Sequence, residues 1–159
     1  MPKSWIEKLE AKGKDLPKIV RLDEKTSKKY GGAKTMVVPH PKDVYAIMAS
    51  IPEGSLITVK EVRDILAKKY GTDIACPLTT GIFIWIAANA SVEIAQKNGQ
   101  QEADIPFWRT LKSNGQLVDK YPGGIDYQRR KLEAEGFVVV QKRGKWYVDN
   151  YMSFVLPVV

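Results

Sequence analysis

The chain has 159 residues, 44% of them hydrophobic, enough to build one packed domain with or without an arm. Lysine and arginine number 25 against 18 acids, and the formal net charge of +7 favours polyanionic partners, nucleic acid first and an acidic membrane surface second. A single cysteine, Cys76, excludes an intrachain disulfide, and a single histidine, His40, leaves no basis for a zinc cluster.

No metal and no cofactor is expected. No apolar run reaches the roughly 18 residues that cross a bilayer, so no membrane partner is expected either. The N-terminus is charged from Lys3 onward and lacks the apolar stretch of a secretory signal. The expected location is cytoplasmic, with nucleoid association in a prokaryote.

Residues 1–40 are lysine-rich and broken by Gly13, Pro17 and Gly31-Gly32. They read as a basic N-terminal extension: a short helix with Trp5, Ile6 and Leu9 on one face, then a solvated, extended arm. His40, between two prolines, reads as a loop residue.

From Pro41 the pattern turns helical, with Val44, Ile47 and Met48 on one face and Pro52 and Gly54 as stops. Thr58 and Glu61 then form a capping box ahead of Val59, Val62, Ile65 and Leu66, and Gly71 closes that helix. The segment CPLTTGIFIWIAANASVEIAQKNG is apolar nearly all round, so most of it must be buried. Two helices joined by a short Gly-containing link suit a helix-turn-helix. The segment PFWRTLKSNGQLVDKYPGG is rich in turn signals, and IDYQRRKLEAEG reads as a helix ending at Gly136. Finally FVVVQKRGKWYVDN gives two β-prone runs around Arg143-Gly144, a hairpin that can serve as a wing. The expected organisation is a domain over 41–150 and an apolar tail over 151–159.

The order and spacing of IPEGSLITVKEV, AANA, PFWRTLKSNGQL and YPGG…LEAEG resemble the DNA-binding domain of the alkylguanine-DNA alkyltransferases. The chain is especially similar to the alkyltransferase-like proteins, which keep the fold and lack the reactive cysteine. The match runs from about Pro41 to Gly136 and implies a mainly α, winged helix-turn-helix domain with a small β-hairpin. In the family a Pro-Cys-His-Arg signature supplies a thiol that takes the alkyl group from a flipped guanine. Here the four places hold Pro106, Phe107, Trp108 and Arg109. A thiolate nucleophile needs a sulfur and a nearby base, and this site offers neither.

The resemblance further implies that Asn89 braces the active-site loop, that Tyr121 lines the base pocket, and that Glu135 stands where the family has the acid of a proton relay. With no thiol to serve, Glu135 reads as helix-end structure. The arginine that fills the space left by a flipped nucleotide is absent from Thr79-Thr80-Gly81, and Val59 replaces a phosphate-rotating tyrosine.

The expected base pocket is therefore Phe107, Trp108, Arg109 and Tyr121 with Asn89. The alternative for Phe107 and Trp108 is that they fill the space themselves. The expected DNA contacts are Thr79, Thr80 and Gly81 at a helix start, with Arg63, Lys112, Ser113 and, at the hairpin tip, Arg143. The expected function is a non-enzymatic DNA-binding protein that recognises damaged or modified bases in duplex DNA and hands them to excision-repair proteins. Two other readings stay open. One is a base-excising glycosylase using Glu135, Asp119 or Asp126. The other is a winged-helix protein-interaction module with a closed pocket, for which the tail MSFVLPVV offers a contact unless it docks onto its own domain.

Overall fold

The computed structural model describes residues 2–158. Helix α1 (Trp5–Glu10) starts at a capping box in which Ser4 and Glu7 satisfy each other's backbone N–H groups. The Glu93 carboxylate also accepts from the Trp5 and Ile6 N–H groups, at 3.1 and 3.4 Å. Strand β1 (Lys18–Arg21), helix α2 (Glu24–Lys29) and strand β2 (Thr35–Val38) follow, with β1 antiparallel to β2. Leu9 and Val37 are buried, and the Trp5 ring meets Trp85 edge-on at 4.8 Å. The expected solvated arm is thus corrected to a folded element. Lysines occupy its exposed positions, and a few apolar residues bury the surface that docks it.

Helix α3 (Pro41–Ala49) begins at His40, whose Nδ1 accepts from the Lys42 N–H at 3.0 Å. Its Nε2 lies 3.1 Å from the Glu10 carbonyl, which assigns the ring proton to Nε2 and ties α3 to α1. His40 is a helix cap rather than a plain loop residue.

Strand β3 (Ile57–Thr58) leads into α4 (Val59–Tyr70) through the expected capping box, with the Thr58 N–H 2.9 Å from Glu61 Oε1. The link to the next helix contains a strand, β4 (Ile74–Ala75), parallel to β2. The sheet order β1-β2-β4 therefore joins the N-terminal region to the connection between the two helices.

Helix α5 (Pro77–Lys97) is the axis of the core, with Phe83, Ile84, Ala87, Ala88 and Ala90 buried. By length and composition alone it is long and apolar enough to cross a bilayer, which corrects the expectation that no segment is. Half of its apolar window is buried inside the fold, against α1, α3 and α4.

After a 3-10 turn at Phe107–Arg109, strand β5 (Thr110–Leu111) pairs in parallel with β3. Helix α6 (Gly124–Ala134) is followed by the hairpin of β6 (Val139–Lys142) and β7 (Lys145–Val148). Its two-residue turn holds Arg143 and Gly144 at φ 51° and 79°, which matches the twist of the flanking strands. The Leu117 N–H donates to the Trp146 carbonyl at 2.9 Å, stitching the preceding loop to the hairpin.

The tail is not free. Leu56 donates to the Phe154 carbonyl at 2.9 Å and accepts from the Leu156 N–H at 3.0 Å, and Phe154 packs edge-on against Phe137. The apolar tail docks on its own domain, which corrects its reading as a partner contact. Among the described residues the architecture is mixed α/β, six helices with three small sheets, instead of mainly α with one hairpin. Three of the added strands are only two residues long, too short to show a period in sequence.

Candidate functional site

The segment Pro106–Arg109 is fixed by two buried polar residues. Ser91 on α5 accepts from the Ile105 N–H through Oγ at 2.8 Å. Gln128 on α6 is wholly buried; its Oε1 accepts from the Val118 N–H at 2.8 Å and its Nε2 donates to the Trp108 carbonyl at 3.0 Å. Sequence reasoning missed both. A buried glutamine on one face of an otherwise amphipathic helix was the available signal, because buried amides must find partners. Asn89, the expected brace, instead donates to the Trp85 carbonyl one turn back on its own helix, at 2.9 Å. That assignment is corrected.

Phe107 is 0% exposed and sits at the centre of an aromatic cluster. It meets Trp108 and Tyr121 edge-on at 5.5 and 5.2 Å and stacks on Tyr127 at 5.9 Å. Burial pushes the Tyr121 phenol far above its usual range, and its hydroxyl donates to the Thr110 carbonyl at 2.8 Å. The four residues expected to line a base pocket are brought together, but as a filled interior. Side chains packed in this way leave no space for a base between them.

Glu135, which caps the end of α6, organises the polar side of this cluster. It accepts from Trp108 Nε1 at 2.7 Å, from Arg109 Nε at 2.9 and 3.0 Å, and from the Gly54 N–H at 3.3 Å. Arg109 Nη2 adds an ion-pair contact at 2.8 Å, and Nη1 donates to the Ile51 carbonyl at 2.7 Å. Burial would raise the Glu135 pKa, but hydrogen bonds from Arg109, Trp108 and Gly54 outweigh it and hold the carboxyl below its ordinary value. A carboxylate so engaged has no free lone pair aimed at a substrate. Asp119 and Asp126 are exposed.

A hollow does exist beside the cluster. It encloses about 260 Å³ and is lined by Ala103, Pro122, Gly123 and Tyr127 over Phe107, with Gln96, Gln100, Gln101 and Glu102 at its rim. Gly123 has φ +83°, and a Cβ there would lie 2.5 Å from Tyr127 Cβ, so this glycine lets the turn sit against the ring.

The expected DNA contacts are dispersed. Thr80 is 0% exposed, and neither the Thr79 nor the Thr80 hydroxyl has a partner, both being buried away from any phosphate. Those two assignments are corrected; Gly81 alone of the three is exposed. Arg63 donates from Nε to the Ala75 carbonyl at 3.1 Å and braces β4. Ser113 is exposed, its carbonyl accepting from the Tyr151 hydroxyl at 3.3 Å. Lys142, Arg143 and Lys145 stand exposed at the hairpin tip, and with Lys112 they form no ion pair among the described residues.

The helices behave differently: Lys60–Asp64, Arg129–Glu133 and Arg130–Asp126 pair one turn apart. Residues 1–40 hold ten of the 25 cations and five of the 18 acids, so most of the positive excess lies there.

No family profile matches the chain, and no curated protein does. Two solved structures are similar: the crystal structure of S. pombe Atl1 in complex with damaged DNA containing O6-carboxymethylguanine, and that of S. pombe ATL in complex with DNA. Each is 22% identical, over 74% of this chain and 94% of the other, with TM-scores of 0.49 and 0.47. A likeness of this degree assigns no function.

Proposed function

We propose that this chain is a non-enzymatic DNA-binding protein of the alkyltransferase-like type, which recognises damaged or modified bases in duplex DNA and hands them to excision-repair proteins. The observation that carries the reading is Phe107. At the place where the resemblance puts an alkyl-accepting thiol stands a buried ring, held under Trp108, Tyr121 and Tyr127. A site of that composition has no nucleophile, and the nearby carboxylate of Glu135 is consumed by Arg109 and Trp108.

Grip on the phosphate backbone falls to the unpaired hairpin cations and Lys112, in a winged-helix arrangement in which the β6–β7 hairpin is the wing. An extruded base would rest in the hollow outside Phe107, against Tyr127, with the rim glutamines as hydrogen-bonding groups.

The test is affinity for a labelled duplex, with and without an O6-alkylguanine, over a salt series. Binding should weaken steeply with salt, and replacing Lys142, Arg143 and Lys145 by alanine should flatten the log–log slope by roughly 1 for each phosphate no longer neutralised. The modified duplex should bind more tightly and be released unaltered. Absence of salt-sensitive binding to either duplex overturns the reading.

A further inference from the structure

The exposed apolar residues of α5, Leu78 and Ile82, fall on one stripe with Gly81 and the half-buried Trp85. Leu78, Gly81, Ile82 and Trp85 follow the spacing i, i+3, i+4, i+7, which places them on one helix face. Leu78 is 72% exposed and Ile82 40%. The stripe floors two adjoining hollows that share Ile82 and Trp85: one of about 310 Å³ between α1 and α5, and one of about 340 Å³ that continues toward Pro77. Leu78 and Ile82 leave apolar surface in water, although the chain has an apolar tail that docks elsewhere, on Leu56.

The rim is cationic. Lys3, Lys8 and Lys14 border the first hollow and Lys120 the second. None of the four forms an ion pair among the described residues. The carboxylate of the one acid at the rim, Glu7, accepts from the Ser4 N–H at the start of α1, at 3.2 Å. Lysine stems can lie along apolar surface while their ammonium groups stay at the edge.

An apolar stripe of two turns between lysine banks complements a helix with apolar residues at the same spacing and carboxylates on its flanks. Duplex DNA suits it poorly, since the floor offers no polar side chain and the hydroxyls of Thr79 and Thr80 are turned inward. A flat anionic bilayer does not enter a cleft between two helices. We propose that the α1–α5 groove binds an acidic amphipathic helix of a partner protein, at a site separate from the hairpin tip.

The probe is a fluorescein-labelled helical peptide with Leu, Ile and Phe at i, i+3, i+4 and i+7 and Glu or Asp elsewhere, read by anisotropy against the full chain. Saturable binding is expected, with loss of about tenfold or more in Leu78→Asp and Ile82→Glu. Gly81→Glu is the variant least able to harm folding, since a Cβ there meets nothing within 4 Å; it should block the groove at an unchanged melting temperature. Lys14→Glu and added salt should each weaken the complex several-fold. Peptide affinity should be unchanged in the variant with Lys142, Arg143 and Lys145 replaced by alanine, so failure here is distinct from failure of DNA binding. No binding, equal binding of a scrambled peptide, stoichiometric displacement by duplex, or loss of phosphatidylserine-vesicle binding in the same variants would overturn the proposal.

Discussion

Arg109 and Glu135 meet across 26 residues of sequence in a two-pronged ion pair whose side chains are only 13% and 7% exposed. Trp108 shares the same carboxylate, so one acid fixes two consecutive residues of the central segment. Glu135→Gln removes the charge and leaves the guanidinium buried without its counter-ion, which should cost about 3–5 kcal/mol. The pH dependence has a definite sign. The folded carboxyl lies below its ordinary value of 4.5, so its contribution is complete above that pH and is lost as pH falls through the lowered value. Melting temperatures of the two proteins should differ by a constant amount near neutrality and converge in strong acid. A gap that persists unchanged under strongly acidic conditions would contradict the ion-pair account.

Phe107 can be tested by placing a sulfur at its position. Phe107→Cys should transfer no labelled methyl group from a duplex carrying O6-methylguanine, because the adjacent position is Trp108, which offers no base, and residue 107 is buried. Phe107→Ala should lower stability by about 3–5 kcal/mol in denaturant titration, since a buried ring is replaced by a cavity. A loss below about 1 kcal/mol would mean that the ring is not the keystone its position suggests.

Removing residues 1–38 distinguishes a folded element from an arm. The truncation takes away β2, the partner of β4, and uncovers the α5 surface on which α1 packs. The remaining chain should lose its cooperative thermal transition, followed by circular dichroism. Melting at the wild-type temperature would restore the reading of a solvated extension.

Gly115 and Tyr151 supply a backbone test far from the aromatic cluster. Gly115 has φ +84°, and a Cβ there would run into the Tyr151 ring at Cδ1 and Cγ. Gly115→Ala should cost on the order of 1–3 kcal/mol from the conformation, with the clash added. The Tyr151→Ala background relieves the clash alone, so a double-mutant cycle measures how much of the destabilisation belongs to the ring.

Much of the helical plan was legible because its signals are local. The Thr58–Glu61 capping box, Gly71 as a helix end, Pro41 at a first turn and the Arg143-Gly144 hairpin all formed where the sequence placed them. Phe107 and Trp108 were legible as side chains that carry neither a thiol nor a base, a fact of residue identity. Glu135 was legible as a helix end.

Long-range pairing decided the rest. The lysine-rich N-terminus reads as solvated by its charge, yet Trp5, Leu9 and Val37 bury against partners that lie dozens of residues away. Whether Phe107, Trp108 and Tyr121 wall a pocket or fill one depends on distances of a few ångströms between segments that residue types alone do not set. The sequence by itself determined where helices start and stop and that this site holds no nucleophile, because propensity, capping and composition act within a few residues. The tertiary structure alone decided that Phe107, Trp108 and Tyr121 pack on one another with a hollow outside them, and that an apolar face of α5 stays open, because burial is a property of packed neighbours.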